Sequence, residues 1–102
     1  MESPRSLTTK SGGNLDWTIE YHKDTRKQLA QLDRSVQQRI KHYLEALAKE
    51  TAYPTQRGKP LTGDLAGAWR YRVGDYRILC EIQQQRLVVL VIRIGHRSTI
   101  YD

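Results

Sequence analysis

At 102 residues the chain has room for one domain with a single modest core. Its net charge of +6 at pH 7 and its pI of about 9.7 predict attraction to polyanions, namely nucleic acid, the ribosome or an acidic protein. One cysteine excludes an internal disulfide, and three dispersed histidines do not suggest a metal site, so we expect no cofactor. No apolar run approaches the roughly 20 residues that span a bilayer, so we expect a cytoplasmic protein without a membrane partner.

Composition divides the chain into a tail and one domain. Residues 1–14 are rich in Ser, Thr, Gly and Lys and lack hydrophobic periodicity, which predicts a flexible tail. Residues 15–102 form the single predicted domain. It begins with Trp17, Ile19 and Tyr21, whose alternation with polar residues indicates a strand with one buried face.

Two helices are predicted after this strand. The first is short and highly charged and runs from Lys23 to Leu32, and Asp33-Arg-Ser35 then offers a turn and a helix cap. The second carries one apolar stripe at helical spacing, formed by Val36, Ile40, Tyr43, Leu44 and Leu47. Tyr53-Pro54 ends it, because the residue before a proline is pushed away from helical geometry. We therefore expect a helical hairpin packed on a sheet, followed by a basic loop over Thr55–Gly63.

The arginine-rich stretch around Gly74-Asp75 is predicted to form a β-hairpin. Large apolar residues alternate with mostly charged ones on both sides of this dipeptide, which is the period of half-buried strands. A glycine at the first position of a two-residue loop suits a turn that needs positive φ. The loop then fixes the register, with Val73 opposite Tyr76 and Arg72 opposite Arg77.

This register places Arg70, Arg72 and Arg77 on one face of the hairpin and the aromatic residues on the other. Like charges directly opposite each other destabilise a sheet, so stability alone does not explain the arrangement. Arginine offers planar, bidentate donors and keeps its charge, which suits a phosphate chain. The alternative is that the three side chains are simply solvated on an exposed sheet face.

The last predicted strand is the β-branched and leucine run Leu87–Ile92, which is typical of a strand covered on both faces near the middle of a sheet. The chain then closes with His96, Arg97 and Tyr101. Side chains at the end of a rigid strand are favoured functional positions. Cys80 falls on the apolar phase of its strand and is expected to be a core residue.

The order of these elements resembles the RelE/ParE superfamily of bacterial toxins from type II toxin–antitoxin systems, over about Asp16 to Tyr101. The matching motifs are Lys59-Pro-Leu-x-Gly63, Trp69-Arg-Tyr-Arg-Val-Gly-Asp-Tyr-Arg77, Val91-Ile-Arg-Ile-Gly-His-Arg97 and Tyr101. The resemblance implies an α+β fold of order β-α-α-β-β-β. In it, an N-terminal two-helix hairpin packs on a small, mainly antiparallel sheet of about four strands.

The resemblance also implies a function. RelE-like members cut messenger RNA in the ribosomal A site with a basic cluster, whereas ParE-like members usually lack that cluster and poison DNA gyrase. The cluster retained here favours a ribosome-dependent mRNA endonuclease, an mRNA interferase that needs no metal because the ribose 2′-hydroxyl attacks the adjacent phosphate. The alternatives are a gyrase inhibitor without nuclease activity and a non-catalytic nucleic-acid-binding module.

Residue roles follow from the same resemblance. Arg77 is expected to stabilise the charge that develops on the phosphate, Arg97 to protonate the leaving oxygen, and Tyr101 to stack on a base. Two further residues carry catalytic roles in the cluster, and four basic residues are expected to bind RNA. The first set is Arg70 and Arg72, and the second is Lys59, Arg57, Arg70 and Arg72.

The general base is the point at which this chain departs from the family pattern. Arg70 and Arg72 occupy positions that can be lysine, and arginine is not deprotonated in proteins, so neither is a conventional base. His96 is the expected substitute because the reference pKa of the histidine side chain lies near neutrality, and Glu81 is a weaker candidate. The alternatives are that His96 is a turn residue bonded to backbone and that Glu81 balances the charge of an arginine.

Partners are expected in two classes. One is a cognate acidic antitoxin, whose amphipathic segment would lie across the helices and sheet in a toxin–antitoxin hetero-oligomer. The other is the ribosome, at its A site, together with messenger RNA. Both expectations agree with the basic net charge of the chain.

Overall fold

The structure, a computed structural model, describes residues 17–98. Two α-helices pack on one face of a five-stranded sheet. The predicted tail, residues 1–14, and Tyr101 lie outside the described residues. In chain order the elements are β1 (Thr18–Tyr21), α1 (Lys23–Ala30), α2 (Arg34–Glu50), a 3₁₀ helix (Pro54–Arg57), β2 (Lys59–Pro60), a second 3₁₀ helix (Gly63–Leu65), β3 (Ala68–Val73), β4 (Tyr76–Gln83) and β5 (Val88–His96).

The α+β class and the helical hairpin on the sheet are confirmed, and the sheet has five strands rather than about four. The additional strand is β2, in a stretch predicted to be a loop, where Lys59 pairs with Arg70 and Pro60 with Trp69. It is only two residues long and lies at the sheet edge. This suits Pro60, because proline has no N–H to donate to a further strand.

The strands lie in the order β1-β5-β4-β3-β2, with β1 parallel to β5 and the other pairs antiparallel. The prediction that the last strand is interior is confirmed. The prediction that both of its faces are covered is only partly right. Val89 and Val91 are fully buried under the helices, whereas Leu90 and Ile92 are half-buried, because both described α-helices pack on the other face.

The main core lies between the helices and that face of the sheet. Leucines and isoleucines of α2 meet buried residues of β3, β4 and β5, and Cys80 belongs to this core as expected. Helix α1 ends at Ala30, two residues before the predicted end. There the N–H groups of Gln31 and Leu32 donate to carbonyls only three residues back, so the last turn tightens and the helix stops.

Tyr71 connects the sheet to the first 3₁₀ helix. Its ring is 1% exposed, its hydroxyl donates a 2.8 Å hydrogen bond to the carbonyl of Pro54, and it contacts the Tyr43 ring at 6.2 Å between centroids. A Cβ added at Gly58 would lie 2.8 Å from Cζ of Tyr71, so only glycine fits beside this ring. The basic segment that follows Gly58 is thereby fixed against β3.

The predicted β3–β4 register is confirmed. Val73 is opposite Tyr76, Arg72 is opposite Arg77, and Gly74 has a φ of +57°. The turn is also in contact with α2, because a Cβ at Gly74 would lie 2.7 Å from Nη2 of Arg39.

A β-bulge in β5 changes which residues face the helices. Leu79 pairs with Arg93 but Cys80 pairs with Val91, so Ile92 is an extra residue without an opposite partner. Before the bulge Val89 and Val91 face the helices, and after it Ile94 does. Strict alternation from Val91 would have turned Arg93 toward the helices, whereas the bulge turns it to the opposite face.

Candidate functional site

The sheet face opposite the helices carries the predicted arginines in two cross-strand rows. We call them the turn row, next to the β3–β4 turn, and the middle row, two residues further along each strand. Two residues of a strand separate the rows by roughly 6.6–6.8 Å. The turn row is Arg72, Arg77 and Gly95, and the middle row is Lys59, Arg70, Leu79 and Arg93. The predicted grouping of Arg70, Arg72 and Arg77 on one face is confirmed.

Two of these arginines are buried against the sheet. Arg77 is 9% exposed, and its Nη1 donates to the carbonyls of Tyr76 at 3.3 Å and Gly74 at 3.5 Å. Arg70 is 8% exposed and sits beside fully buried Leu79. Burial restricts both side chains, and in Arg77 the two carbonyl bonds also position the guanidinium. Arg72 is exposed, so the turn row combines one fixed and one mobile positive charge.

Arg97 lies at the same end of the sheet as the turn row. Its backbone N–H donates a 2.7 Å hydrogen bond to the carbonyl of Asp75 in the β3–β4 turn. Its Nε is 3.8 Å from Oδ1 of Asp75, and the two side chains are 63% and 66% exposed. Such an exposed ion pair is weak. The backbone bond therefore fixes the position of the residue, and the guanidinium can exchange Asp75 for an anionic ligand.

His96 lies on the other face of the sheet. It pairs with Tyr76 across the strands, and the two rings meet edge to face with centroids 5.4 Å apart. Its Nδ1 accepts a 3.1 Å hydrogen bond from the backbone N–H of Ser98 and lies 2.8 Å from the Ser98 hydroxyl. Nδ1 is thus an acceptor, and a neutral ring carries its proton on Nε2. The expected grouping of His96 with the arginines is not observed, because alternation after the bulge turns it toward the helices.

Glu81 is on the arginine face, as its alternation predicted, but in a row beyond the middle row. It pairs with Ala68 and Leu90 and is exposed. Four residues of β4 separate it from Arg77, which is roughly 13 Å at the rise of a strand. Proton transfer at the turn row therefore lies outside its reach.

The four residues predicted to bind RNA line one groove at the β2 edge of the sheet. We call this depression of about 450 Å³ the edge groove. The exposed Arg57 guanidinium also lies 3.2 Å from Glu50. Burial raises the pKa of Tyr43 in the same groove, and the charge of Arg57 opposes that rise. The basic residues that line the edge groove are Arg57, Lys59, Arg70 and Arg72.

Sequence reasoning missed Arg93. This exposed residue lines a second depression of about 760 Å³, the loop cleft, beneath the segment that joins β2 to β3. Lys59 and Arg70 line both the edge groove and the loop cleft, so the two depressions adjoin. The sequence does contain a sign of this placement. Arg93 falls in the apolar phase of β5, and because an arginine is rarely buried there, it indicates a bulge.

The described residues contain neither a candidate metal cluster nor a candidate membrane-spanning helix. Within residues 17–98, no group of three or more His, Cys, Asp or Glu side chains is placed to hold a metal ion. In that same range no helix is long and apolar enough to cross a membrane. Cys80 is fully buried, and burial raises the pKa of its thiol.

Comparisons with known proteins agree with this architecture. Toxin RelG of Mycobacterium tuberculosis is 29% identical over 87 residues, which cover 85% of this chain and 98% of the relative. The RelBE2 toxin–antitoxin complex of M. tuberculosis contains a chain that superposes with a TM-score of 0.71 at 28% identity, covering 80% of this chain and 99% of that one. The archaeal RelE–RelB complex of Pyrococcus horikoshii shares the fold, with a TM-score of 0.63 at 24% identity over 82% and 98% of the two chains.

A family profile spans most of the domain. It is described as the ParE toxin of the type II toxin–antitoxin system parDE, and it matches residues 19–101. That range begins within β1 and contains β2 through β5, the turn row, the middle row and Arg97. The chain therefore belongs to this toxin family, within the RelE/ParE superfamily of type II toxin–antitoxin systems.

Proposed function

We propose that this toxin is a ribosome-dependent mRNA endonuclease that cuts by attack of a ribose 2′-hydroxyl on the adjacent phosphate. One observation carries the proposal, namely the turn row of Arg72 and Arg77 with Arg97 bonded to the neighbouring turn. Three guanidiniums at one end of a rigid sheet fit a phosphate that gains negative charge as it reacts.

The reaction needs charge stabilisation and alignment. The 2′-oxygen forms a bond to phosphorus and gives up its proton to water, the bond from phosphorus to the 5′-oxygen breaks, and the 5′-oxygen takes up a proton, leaving a 2′,3′-cyclic phosphate and a 5′-hydroxyl. Arg77 is buried and bonded to turn carbonyls, so it keeps its position while charge builds up. Loss of one such preorganised donor reduces a rate by about 10²–10³.

Arg97 is assigned to the leaving group. Its exposed guanidinium is only weakly paired with Asp75, so an N–H can turn to the 5′-oxygen as the bond to phosphorus breaks. Tyr101 is assigned to stacking on a base, which contributes about 1–3 kcal/mol per base. Both assignments rest on the family resemblance and, for Arg97, on the hydrogen bond from its backbone to the turn.

In the proposed mechanism the ribosome has the role of aligning the 2′-hydroxyl with the phosphate. His96 faces the helices and Glu81 is roughly 13 Å along β4 from Arg77, so neither supplies a base beside the turn row. Orientation alone contributes up to about 7–11 kcal/mol in well-aligned intramolecular reactions. A cluster that binds phosphate without a strong base therefore gains most from a partner that fixes the RNA.

We also propose an acidic antitoxin as the cellular partner. The related RelBE2 and RelE–RelB structures are complexes of a toxin with its antitoxin. An acidic segment would complement a chain of net charge +6 and form a hetero-oligomer in the cytoplasm.

Primer extension on a defined message, after cell-free translation with the purified protein, tests the proposal. We expect cuts inside codons that require ribosomes and that disappear with Arg97→Ala and Arg77→Ala. Arg86→Ala is the matched control, because Arg86 is an exposed arginine in the β4–β5 turn, at the other end of these strands. An uncut message, or equal cutting by the Arg97→Ala variant, would refute the nuclease assignment.

A gyrase-directed activity is the second candidate, because the matching profile is that of the ParE toxin. It predicts that the protein inhibits DNA supercoiling by gyrase and leaves messages intact. Supercoiling and primer-extension assays on the same preparation separate the two functions.

A further inference from the structure

We propose that Arg93, with Arg70 and Lys59, binds a second phosphate of the RNA strand, one that flanks the phosphate cut at the turn row. The inference rests on the proposed function and adds a subsite to it. Its basis is the middle row, which runs across β2, β3, β4 and β5.

The register places the cations at the spacing of the sheet. Arg70 and Arg93 are both in register with Leu79, one on each side, so their backbones are roughly 10 Å apart. Leu79 is fully buried, and Leu61 and Leu65 pack in the same cluster, so the sheet between the two arginines lies beneath the segment that joins β2 to β3. Both arginines line the loop cleft, where a phosphate would be within reach of the two long side chains.

The bulge is the second argument. An arginine in the apolar phase of β5 would face the core if the strand were regular, and the extra residue Ile92 turns it to the open face instead. Bulges are over-represented next to functional sites, where they re-aim a side chain. The same shift brings Gly95 opposite Arg77, so this single bulge sets which β5 residue lies in the turn row and which lies in the middle row.

The charges of the loop cleft favour an anion. Lys59, Arg70 and Arg93 line it together with a single carboxylate, Asp64. On the other side of Arg93 a depression of about 300 Å³ is lined by His22 and Asp24. The excess positive charge is therefore concentrated between β2 and β5, continuous with the edge groove.

A phosphodiester fits this surface better than a peptide carboxylate. The middle row lies roughly 6.6–6.8 Å from the turn row, a distance that one nucleotide can bridge, so an RNA strand bound at the turn row can place its next phosphate at the middle row. Cations from β2, β3 and β5 also give the cleft a positive charge that attracts a chain with one negative charge per nucleotide.

The test uses fluorescence anisotropy with labelled, 2′-O-methylated RNA oligonucleotides, which the protein cannot cut by 2′-hydroxyl attack. We expect Arg93→Ala to weaken binding about tenfold and to reduce the slope of log K against log salt by about 0.7, the value for one phosphate contact in a single strand. Lengthening the oligonucleotide by one nucleotide should improve binding to the wild type and leave the Arg93→Ala variant unchanged.

Arg86→Ala is again the control, since it removes an equally exposed arginine from the other end of the sheet and should leave the slope unchanged. An unaltered slope in the Arg93→Ala variant would overturn the subsite. So would an equal loss of affinity for polyglutamate, which would indicate a carboxylate-binding surface. If the wild type cuts messages on the ribosome but Arg93→Ala does not change the salt slope, only the subsite is refuted. If Arg93→Ala lowers the salt slope but the wild type cuts no message, only the nuclease assignment is refuted.

Discussion

Replacement of Tyr71 by phenylalanine is the sharpest test of how the sheet holds the basic edge. The change removes one oxygen from a ring that is 1% exposed and deletes a 2.8 Å hydrogen bond to the carbonyl of Pro54, which is itself buried. A buried acceptor left without its donor costs about 1–3 kcal/mol. For a domain of this size each kcal/mol lowers Tm by about 4–8 °C, so we expect a fall of at least about 4 °C.

The effect should depend on pH in a defined direction. Burial raises the pKa of Tyr71 above its ordinary value of 10.0, so the folded state holds the phenolic proton more tightly than the unfolded state. The contribution is fully present below about pH 10 and is lost as pH rises through the raised pKa. One such group removes up to about 1.4 kcal/mol per pH unit in that range, so the difference between wild type and Tyr71→Phe should shrink above pH 10.

Thermal unfolding followed by tryptophan fluorescence measures the fall in Tm, and urea unfolding at a series of pH values measures the pH dependence, because Trp17 and Trp69 pack in or against the core. Tyr53→Phe is the matched control, since Tyr53 is 61% exposed and its loss of a hydroxyl should change stability by less than about 0.5 kcal/mol. Tyr21 and Tyr43 also have pKa values raised by burial, but they are present in every variant and cancel in the difference. A Tyr71→Phe protein as stable as wild type near neutral pH, or a difference that does not change above pH 10, would refute the reasoning.

Three further predictions concern single residues. The Cys80 thiol is fully buried with a raised pKa, so it should react with a thiol reagent in mildly alkaline buffer only after unfolding, and rapid reaction of the native protein would contradict the packing. Gly74→Ala should cost about 1–2 kcal/mol in denaturant unfolding, because alanine is strained at a φ of +57° and its Cβ meets Arg39. Glu50→Ala removes an exposed ion pair with Arg57 and should change stability by less than about 1 kcal/mol in the same assay, so a larger loss would show that the pair is better ordered than its exposure implies.

The hairpin and its arginine face could be predicted because local chemistry determines them. A glycine with positive φ in a two-residue loop leaves one register, and that register decides the face of every residue in β3 and β4. The same holds for α2, whose apolar spacing is long enough to leave one packing face.

The features that were missed depend on contacts distant in sequence. Pairing of Lys59-Pro60 with β3 requires the loop to return to the sheet edge, and two residues are too few to show a strand period. The placements of Arg93 and His96 depend on a bulge that alternation cannot reveal unless an arginine in an apolar phase is taken as its sign. Apolar residues occupy both phases of Leu87–Ile92, which predicts a strand covered on both faces, whereas β5 is mostly covered on one.

The bulge also divides β5 into two halves whose side chains contribute to different parts of the structure. Up to Val91 the helix-facing side chains serve the hydrophobic core, and from Arg93 onward the outward-facing ones serve the arginine face. The number of residues between these halves, together with the bulge, decides which side chains face the helices. Deleting Ile92 alone would restore regular pairing and keep both sets, because Arg93 would then follow Val91 directly and face outward, with Ile94 toward the helices. Pairing Ile92 regularly with β4, without the bulge, would instead turn Arg93 toward the helices and Ile94 to solvent, and so would disrupt core and site together.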